Sequence, residues 1–417
     1  MNAEKQYTKD LLFSTVFDLM TGVVICSYPG VHAAYQHSQD VISVSVKSVY
    51  NWLNGIETGT SAGPVRYAAG ESVPVITEPG GIQAPRIPGY RFKSLDGNCI
   101  EAGEHRIGEL RELAAGALPG ESQVVYDPVL RIPIDVFPCE DGHARERSPL
   151  GDVSATVEVN DVWTADRNFS TCEFITEIAD SEVFFIIRRH AGQPYKSLGK
   201  KWYIGKTETG KVSEEPIAVT DASGKTHKFR RIHVYLKTVT RNGDKRMFII
   251  SNLSKRVASA KIIAVIYRNR WKIETSFQEL EKQFNSEINA SGYPPAALFG
   301  FCVALISYMI SAVIKSALCA VYGVKKIEKE VSGFYIADVI SGIYRGMMVA
   351  LPAEKWKVFR NYTQSEFSEF LIRLSENVKL SKFRKHPRGP KKKPKKRKYD
   401  PKTPHVSTAK LIAMRKK

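Results

Sequence analysis

None of the six cysteines, at positions 26, 99, 139, 172, 302 and 319, stands in a CxxC pair, and the 417-residue chain has no evident disulfide or zinc framework. Free thiols in a reducing compartment are the expectation. The N-terminal stretch MNAEKQYTKD is polar and lacks the apolar core of a secretory signal. No internal repeat recurs at a fixed period, which sets aside solenoids and propellers. Acidic residues are scarce in one place above all. From Lys382 to Lys417 there are 16 Lys and Arg against one acid, Asp400, so this tail carries +15 of the formal +18. The other 381 residues are almost balanced at +3. A polyanionic partner is implied, with the tail supplying salt-sensitive attraction to phosphates and any track on the body confined to a local patch.

One long uncharged run is present, PPAALFGFCVALISYMISAVI from Pro294 to Ile314. Its length would span a bilayer, but Gly300, Cys302, Ser307, Tyr308 and Ser311 dilute it and no second such run exists. A buried helix of a large core is the preferred reading, with no membrane partner.

Residues 1–87 read as a helical region that contacts DNA or packs as a lead-in to the main domain. Ser45 is placed to cap a short helix containing Val49, Trp52 and Leu53, with Gly55 ending it. From 88 to 190 the pattern is mixed α/β. YRFKSLDG reads as a strand ending at Asp96, residues 104–115 as helical, QVVYDP and PIDVFPC as strands, and VWTADRNF and VFFIIRRH as further strands. Residues 191–260 are short strand-like runs, KWYIGK, PIAVT, KFRRIHVYLKTV and KRMFIISNL, with a turn at Asn242 and Gly243. They form a β-rich insertion. Residues 261–325 hold an acid-bearing helix and the apolar helix, 326–381 are helical, and 382–417 are expected to be a disordered basic tail.

The densest chemistry lies in YRNRWKIETSFQELEKQF. Tyr267, Arg270 and Glu274 fall at i, i+3 and i+7, on one face of a helix at about 100° per residue. Asp96 in LDGN and Asp166 in TADRNF follow apolar strands, where a sheet can hold carboxylates to the tolerance a metal site demands. Three carboxylates are hard oxygen donors suited to Mg²⁺, with Mn²⁺ also fitting, and leave coordination positions for phosphate oxygens.

Those residues resemble the IS4-type transposases of bacterial insertion sequences, members of the DDE superfamily with an RNase H-like catalytic domain. The family pattern is Tyr, two residues, Arg, three residues, Glu, six residues, Lys, and Tyr267, Arg270 and Glu274 stand at its first intervals. LDGN with EAGEHR is similar to the first-acid region, DRNF to the second, and residues 252–280 to the approach to the third. The resemblance covers roughly residues 10–325. It implies an α/β fold with an RNase H-like mixed sheet, and catalytic, metal-binding roles for Asp96, Asp166 and Glu274. Implied partners are double-stranded DNA, as the element's terminal repeats and as target, and a second copy of the chain when assembled on DNA. A bacterial cytoplasm, at the nucleoid, is the implied location.

Tyr267 and Arg270 are then phosphate positioners, Trp271 either stacks on an extruded base or packs in the core, and the tail cations Lys391, Lys392, Lys393, Lys395, Lys396, Arg397 and Lys398 hold DNA. The family Lys falls on Glu281, with Lys282 beside it, about 100° around the helix. Two other functions use the same residues: a metal-dependent nuclease without strand transfer, and a non-catalytic DNA-binding derivative. A tyrosine recombinase would want Arg and His residues converging on a nucleophilic Tyr, and here an acid stands beside it.

Overall fold

The computed structural model describes residues 11–82, 84–100, 107–111, 117–144, 150–240, 243–288, 291–386 and 406–415. Four helices lead: α1 Phe13–Val24, α2 Val31–His37, α3 Val46–Gly55 and α4 Thr58–Thr77. The Ser45 hydroxyl accepts from the Ser48 amide at 3.3 Å and caps α3, whose Val49 and Leu53 are buried.

The sheet begins with β1 Arg91–Ile100, passes a two-residue strand β2 Ala117–Leu118, and returns as β3 Gly120–Asp127 and β4 Ile132–Cys139. Next come α5 Leu150–Ser154, β5 Asp161–Ala165, α6 Cys172–Asp180 and β6 Phe184–Arg188. β7 Lys196–Ser197, β8 Trp202–Lys206, β9 Gly210–Thr220, β10 Thr226–Leu236 and β11 Arg246–Ser251 follow. Ten strands form one mixed sheet in the order β4-β3-β1-β5-β6-β11-β10-β9-β7, with β8 also on β9. β1, β5 and β6 run parallel, while β3, β4 and the insertion strands pair antiparallel. The β-rich insertion is therefore continuous with the sheet of the 88–190 region, through β6 and β11.

Two helices close the face that matters, α7 Ala260–Asn269 and α8 Trp271–Gln283. Then α9 Pro294–Tyr322 carries the apolar run, extended eight residues past Ile314. It is long and apolar enough to cross a membrane, yet 78% of its most apolar window is buried. Phe299, Phe301 and Leu298 pack with Met20 of α1, Leu53 of α3, Val65 of α4 and Val136 of β4. The buried-helix reading is the one the packing supports. α10 Val324–Glu330, α11 Gly333–Ala350, α12 Ala353–Trp356 and α13 Gln364–Glu376 complete the helical region.

Several boundaries differ from expectation. Between 104 and 115 the described part is one 3₁₀ turn, Gly108–Leu110, and residues 101–106 and 112–116 lie outside the described residues. The strand-like run VWTADRNF ends at Ala165, and Arg167–Phe169 form a 3₁₀ turn capped by Asp166. Asn242 lies outside the described residues. Gly243, at φ +88, stands in the turn that joins β10 to β11 as an antiparallel hairpin, as expected, and a second hairpin tip, Asp221 to Lys225 with Gly224 at φ +88, joins β9 to β10. The tail also departs from uniform disorder. β12 Val406–Ser407 pairs parallel with β2, and α14 Thr408–Arg415 sets Leu411 and Ile412 against Ile107 and Leu110. Its apolar residues have a surface to bury. Residues 387–405, including Lys391, Lys392, Lys393, Lys395, Lys396, Arg397 and Lys398, lie outside the described residues.

Candidate active site

Strand alternation decides which side chains share a face. Phe92 and Val162 belong to the cluster that α7 covers, whereas Leu95 and Ala165 belong to the opposite core with Phe174 and Ile178 of α6. Asp96 and Asp166 are in step with Phe92 and Val162, so both point to the α7 and α8 side. The register Leu95 opposite Ala165 is the last in the parallel pairing of β1 with β5, and the two acids are the next residues on each chain. Just below them Ser94 and Thr164 hydroxyls bond at 2.8 Å. Contrary to expectation Asp96 is not at a strand end: β1 runs on to Ile100 on β3 alone, so the acid stands where its neighbour β5 has ended.

Glu274 arrives from above. The expected single helix is two, meeting at Arg270. Bonds of the tighter i to i−3 kind, Arg270 amide to Tyr267 carbonyl at 3.1 Å and Ile273 amide to Arg270 carbonyl at 3.0 Å, mark the join. The chain entering α7 is held from the insertion sheet. Buried Arg230 makes a two-armed pair with Glu214 at 2.9 and 3.1 Å and donates to the carbonyls of Leu253 and Ala258 at 2.8 and 2.7 Å. Those carbonyls flank the approach to α7, whose cap, Ser259, accepts from the Ile262 amide at 3.3 Å. Asn252 fixes the same approach to β6, accepting from the Phe185 amide and donating to the Val183 carbonyl.

Arg270 is 5% exposed and joins the acids, donating to Asp96 Oδ2 at 2.8 Å and to Glu274 Oε1 at 2.6 Å. Tyr267, 3% exposed, lies beside the guanidinium, its ring centroid 5.9 Å away. Burial pushes the Tyr267 hydroxyl up to about 12. Both residues were expected to face phosphates. In the structure they are inside the cluster, because a buried guanidinium needs the carboxylates more than it needs solvent. Burial, with the negative charges of Glu274 and Asp166, pushes the Asp96 carboxyl up to about 7 against the pull of Arg270. Asp166 is oriented by accepting from the Asn168 amide at 2.5 Å. Glu274, with 47% of its side chain exposed, is the open edge of the cluster.

Residues 122–310 match the family model described as the transposase DDE domain. That stretch of the chain is similar to a transposase DDE domain. Asp166 and Glu274 fall within the match, and Asp96, on the strand beside the first matched strand, lies before it. No curated protein matches the chain.

Other side chains of the matched stretch take positions that the sequence pattern left open. Trp271 is 58% exposed, which removes it from the core. Glu281 and Lys282 are exposed near the end of α8, two turns beyond Glu274, where a cation also complements the helix dipole. A separate group of potential metal ligands went unrecognised. Among the described residues, Asp180, Asp221 and His227 are the group of three or more whose ligand atoms all lie within 4.8 Å of one another. Asp221 and His227 sit at the turn joining β9 and β10 and Asp180 ends α6; Asp221 already accepts from the Ser223 and Lys225 amides, and His227 Nε2 lies 3.0 Å from Asp221 Oδ2. The signal was the DASGKTH turn. Asp96, Asp166 and Glu274 do not close to that degree, since Arg270 stands between two of them.

The three carboxylates suit a hard divalent ion, and the raised Asp96 marks a crowd of negative charge that one guanidinium does not neutralise. A pH effect follows. In the unfolded chain Asp96 ionises near 3.8, in the fold near 7, so between those values the folded state holds the extra proton. Stability from this group is therefore lost as pH rises through the window. A metal ion must displace that proton. The rise in Tm produced by Mg²⁺ or Mn²⁺ is expected to grow from about pH 6 to about pH 8. Thermal scans with and without the ion check it, and an ion effect independent of pH would contradict it.

Proposed function

We propose that the protein is a transposase that cuts DNA at the ends of an insertion sequence and joins the freed 3′-hydroxyl to target DNA. The observation that carries the reading is the meeting of Asp96 and Asp166, on adjacent strand positions, with Glu274 through one buried arginine. Asp96, Asp166 and Glu274 would hold Mg²⁺ or Mn²⁺, which, when bound, supplies an activated oxygen nucleophile and charge stabilisation at the phosphodiester. The chain's own residues do the placing. The sheet fixes two carboxylates, Arg270 keeps Asp96 and Glu274 in mutual reach, and Tyr267 packs beneath that guanidinium. With its hydroxyl buried, Tyr267 is a brace and not a nucleophile. Lys282, two turns along α8, is assigned to a DNA phosphate, and the Lys-rich stretch at 391–398 to non-specific attraction. The active form on DNA is proposed to be a dimer, bridging two element ends.

The test uses the full chain, Mg²⁺ or Mn²⁺, and a duplex carrying the inverted repeats that flank the gene. Nicking at the repeat end, followed by joining of the 3′-hydroxyl to a second duplex, is the expected result. Cutting without joining would replace the reading by a nuclease, and specific binding with neither reaction by a DNA-binding derivative.

A further inference from the structure

The face of α7 and α8 turned away from the acids carries an open groove of about 820 Å³. Lys261, Val265, Arg268, Lys272 and Thr275 line it at i, i+4, i+7, i+11 and i+14, one stripe of the two helices. At about 100° per residue the centre of this stripe lies roughly 180° around from Arg270 and roughly 140° from Glu274. Lys206 of β8 forms the opposite wall and Arg86 one end, with exposed Trp271 at the rim.

The groove's charge is one-sided. Its five cations, Arg86, Lys206, Lys261, Arg268 and Lys272, face one acid, Glu208, and that acid is taken by an ion pair with Arg268. Among the described residues no ion pair engages Arg86, Lys206, Lys261 or Lys272. The backbone has made room for this. Gly205, at φ +146 in the irregular stretch of β8, has the Lys261 side chain 3.3 Å from where a Cβ would stand. Lys261 therefore lies across the strand, next to Lys206. On a body of nearly balanced charge, such a concentration of unneutralised cations makes a local positive potential that favours a polyanion.

We propose that this groove grips the sugar-phosphate backbone of duplex DNA. The proposal rests on the DNA-directed reading above and adds a second contact surface to it. Arg86 and Lys272 also line the pocket beside Arg270, Ser94 and Thr164, so DNA held in the groove runs along the catalytic helix next to the site. This also revises the division of labour between tail and body, since a strong phosphate contact lies in the insertion and α7.

The test is equilibrium binding of a fluorescent duplex by the full chain, without divalent ions, across a salt series. Lys206→Glu with Lys261→Glu is compared with Lys196→Glu and Lys228→Glu, exposed lysines that both pair with Ala218 at the other end of β9 from Lys206. Both pairs change net charge equally. The groove pair is expected to weaken binding by about tenfold or more near physiological salt and to lower the slope of log K against log salt by about 2. The control pair should shift affinity by less than about twofold. Equal effects of the two pairs, or no change in slope for the groove pair, would overturn the proposal. If the Glu variants melt early, Lys206→Gln with Lys261→Gln gives the same slope test. Binding without metal is independent of catalysis, so failure here leaves the Asp96, Asp166 and Glu274 site standing, and loss of cleavage leaves the groove standing.

Discussion

Glu274→Gln is expected to reduce both nicking and joining by at least about a thousandfold while duplex binding stays within about twofold of the parent. The substitution keeps shape and hydrogen-bonding reach and removes one charge from the carboxylate that is most open to an incoming ion, with 47% of its side chain exposed. It also leaves Arg270 a partner, because an amide oxygen can still accept. Folding should consequently be preserved, and circular dichroism with thermal scans would show it. Single-turnover cleavage of the flanking repeats is the measurement. Residual activity within tenfold of the parent would remove Glu274 from the reaction.

Arg270→Ala should act on stability before chemistry. The guanidinium is 5% exposed and neutralises Asp96 and Glu274 together. Removing it leaves a carboxylate already pushed up to about 7 without the positive charge that draws it down. Loss of one partner of a buried charged pair costs about 3–5 kcal/mol, and protonation of Asp96 will return part of this below neutral pH. The variant is therefore expected to melt earlier than the parent at about pH 8, with the deficit shrinking near pH 6. Mg²⁺ should recover a larger share of Tm in the variant than in the parent, since the ion takes over the neutralisation. Denaturation curves at the two pH values, with and without Mg²⁺, decide it; equal stability of variant and parent would mean that the guanidinium does not hold the acids.

Much of the site was legible because its residues sit on periodic elements. Asp96 and Asp166 follow apolar runs, and the alternation that makes those runs recognisable also puts both acids on one face. Glu274 was legible from the spacing to Tyr267 and Arg270. What spacing could not supply was the direction of those two side chains. A helical face facing solvent and one facing a pair of carboxylates have the same pattern, and only the tertiary arrangement buries Arg270. The join at Arg270 was hidden for a similar reason: no Pro or Gly marks it, and the local bonds tighten under tertiary constraint. The turn at Gly243 was legible and joins β10 to β11, whereas the separate hairpin at Asp221 was overlooked, although its Asp, Ser and Gly are turn formers too. In the tail, the density of Lys and Pro drew attention from Leu411 and Ile412, whose packing partners lie some 300 residues earlier. The groove escaped notice because Arg86, Lys206 and Lys261 come from three distant stretches.

The insertion was first visible as a separate block of strands, yet β11 is hydrogen-bonded to β6 and Arg230 holds the chain that leads into α7. In engineering terms the block is a bracket: the bolt at Arg230 sets where the catalytic helix starts, and so the height of Glu274 above the sheet. Exchange of this block between relatives would carry the position of the third acid with it, so that drift in the insertion and drift in the active site are one variable and not two.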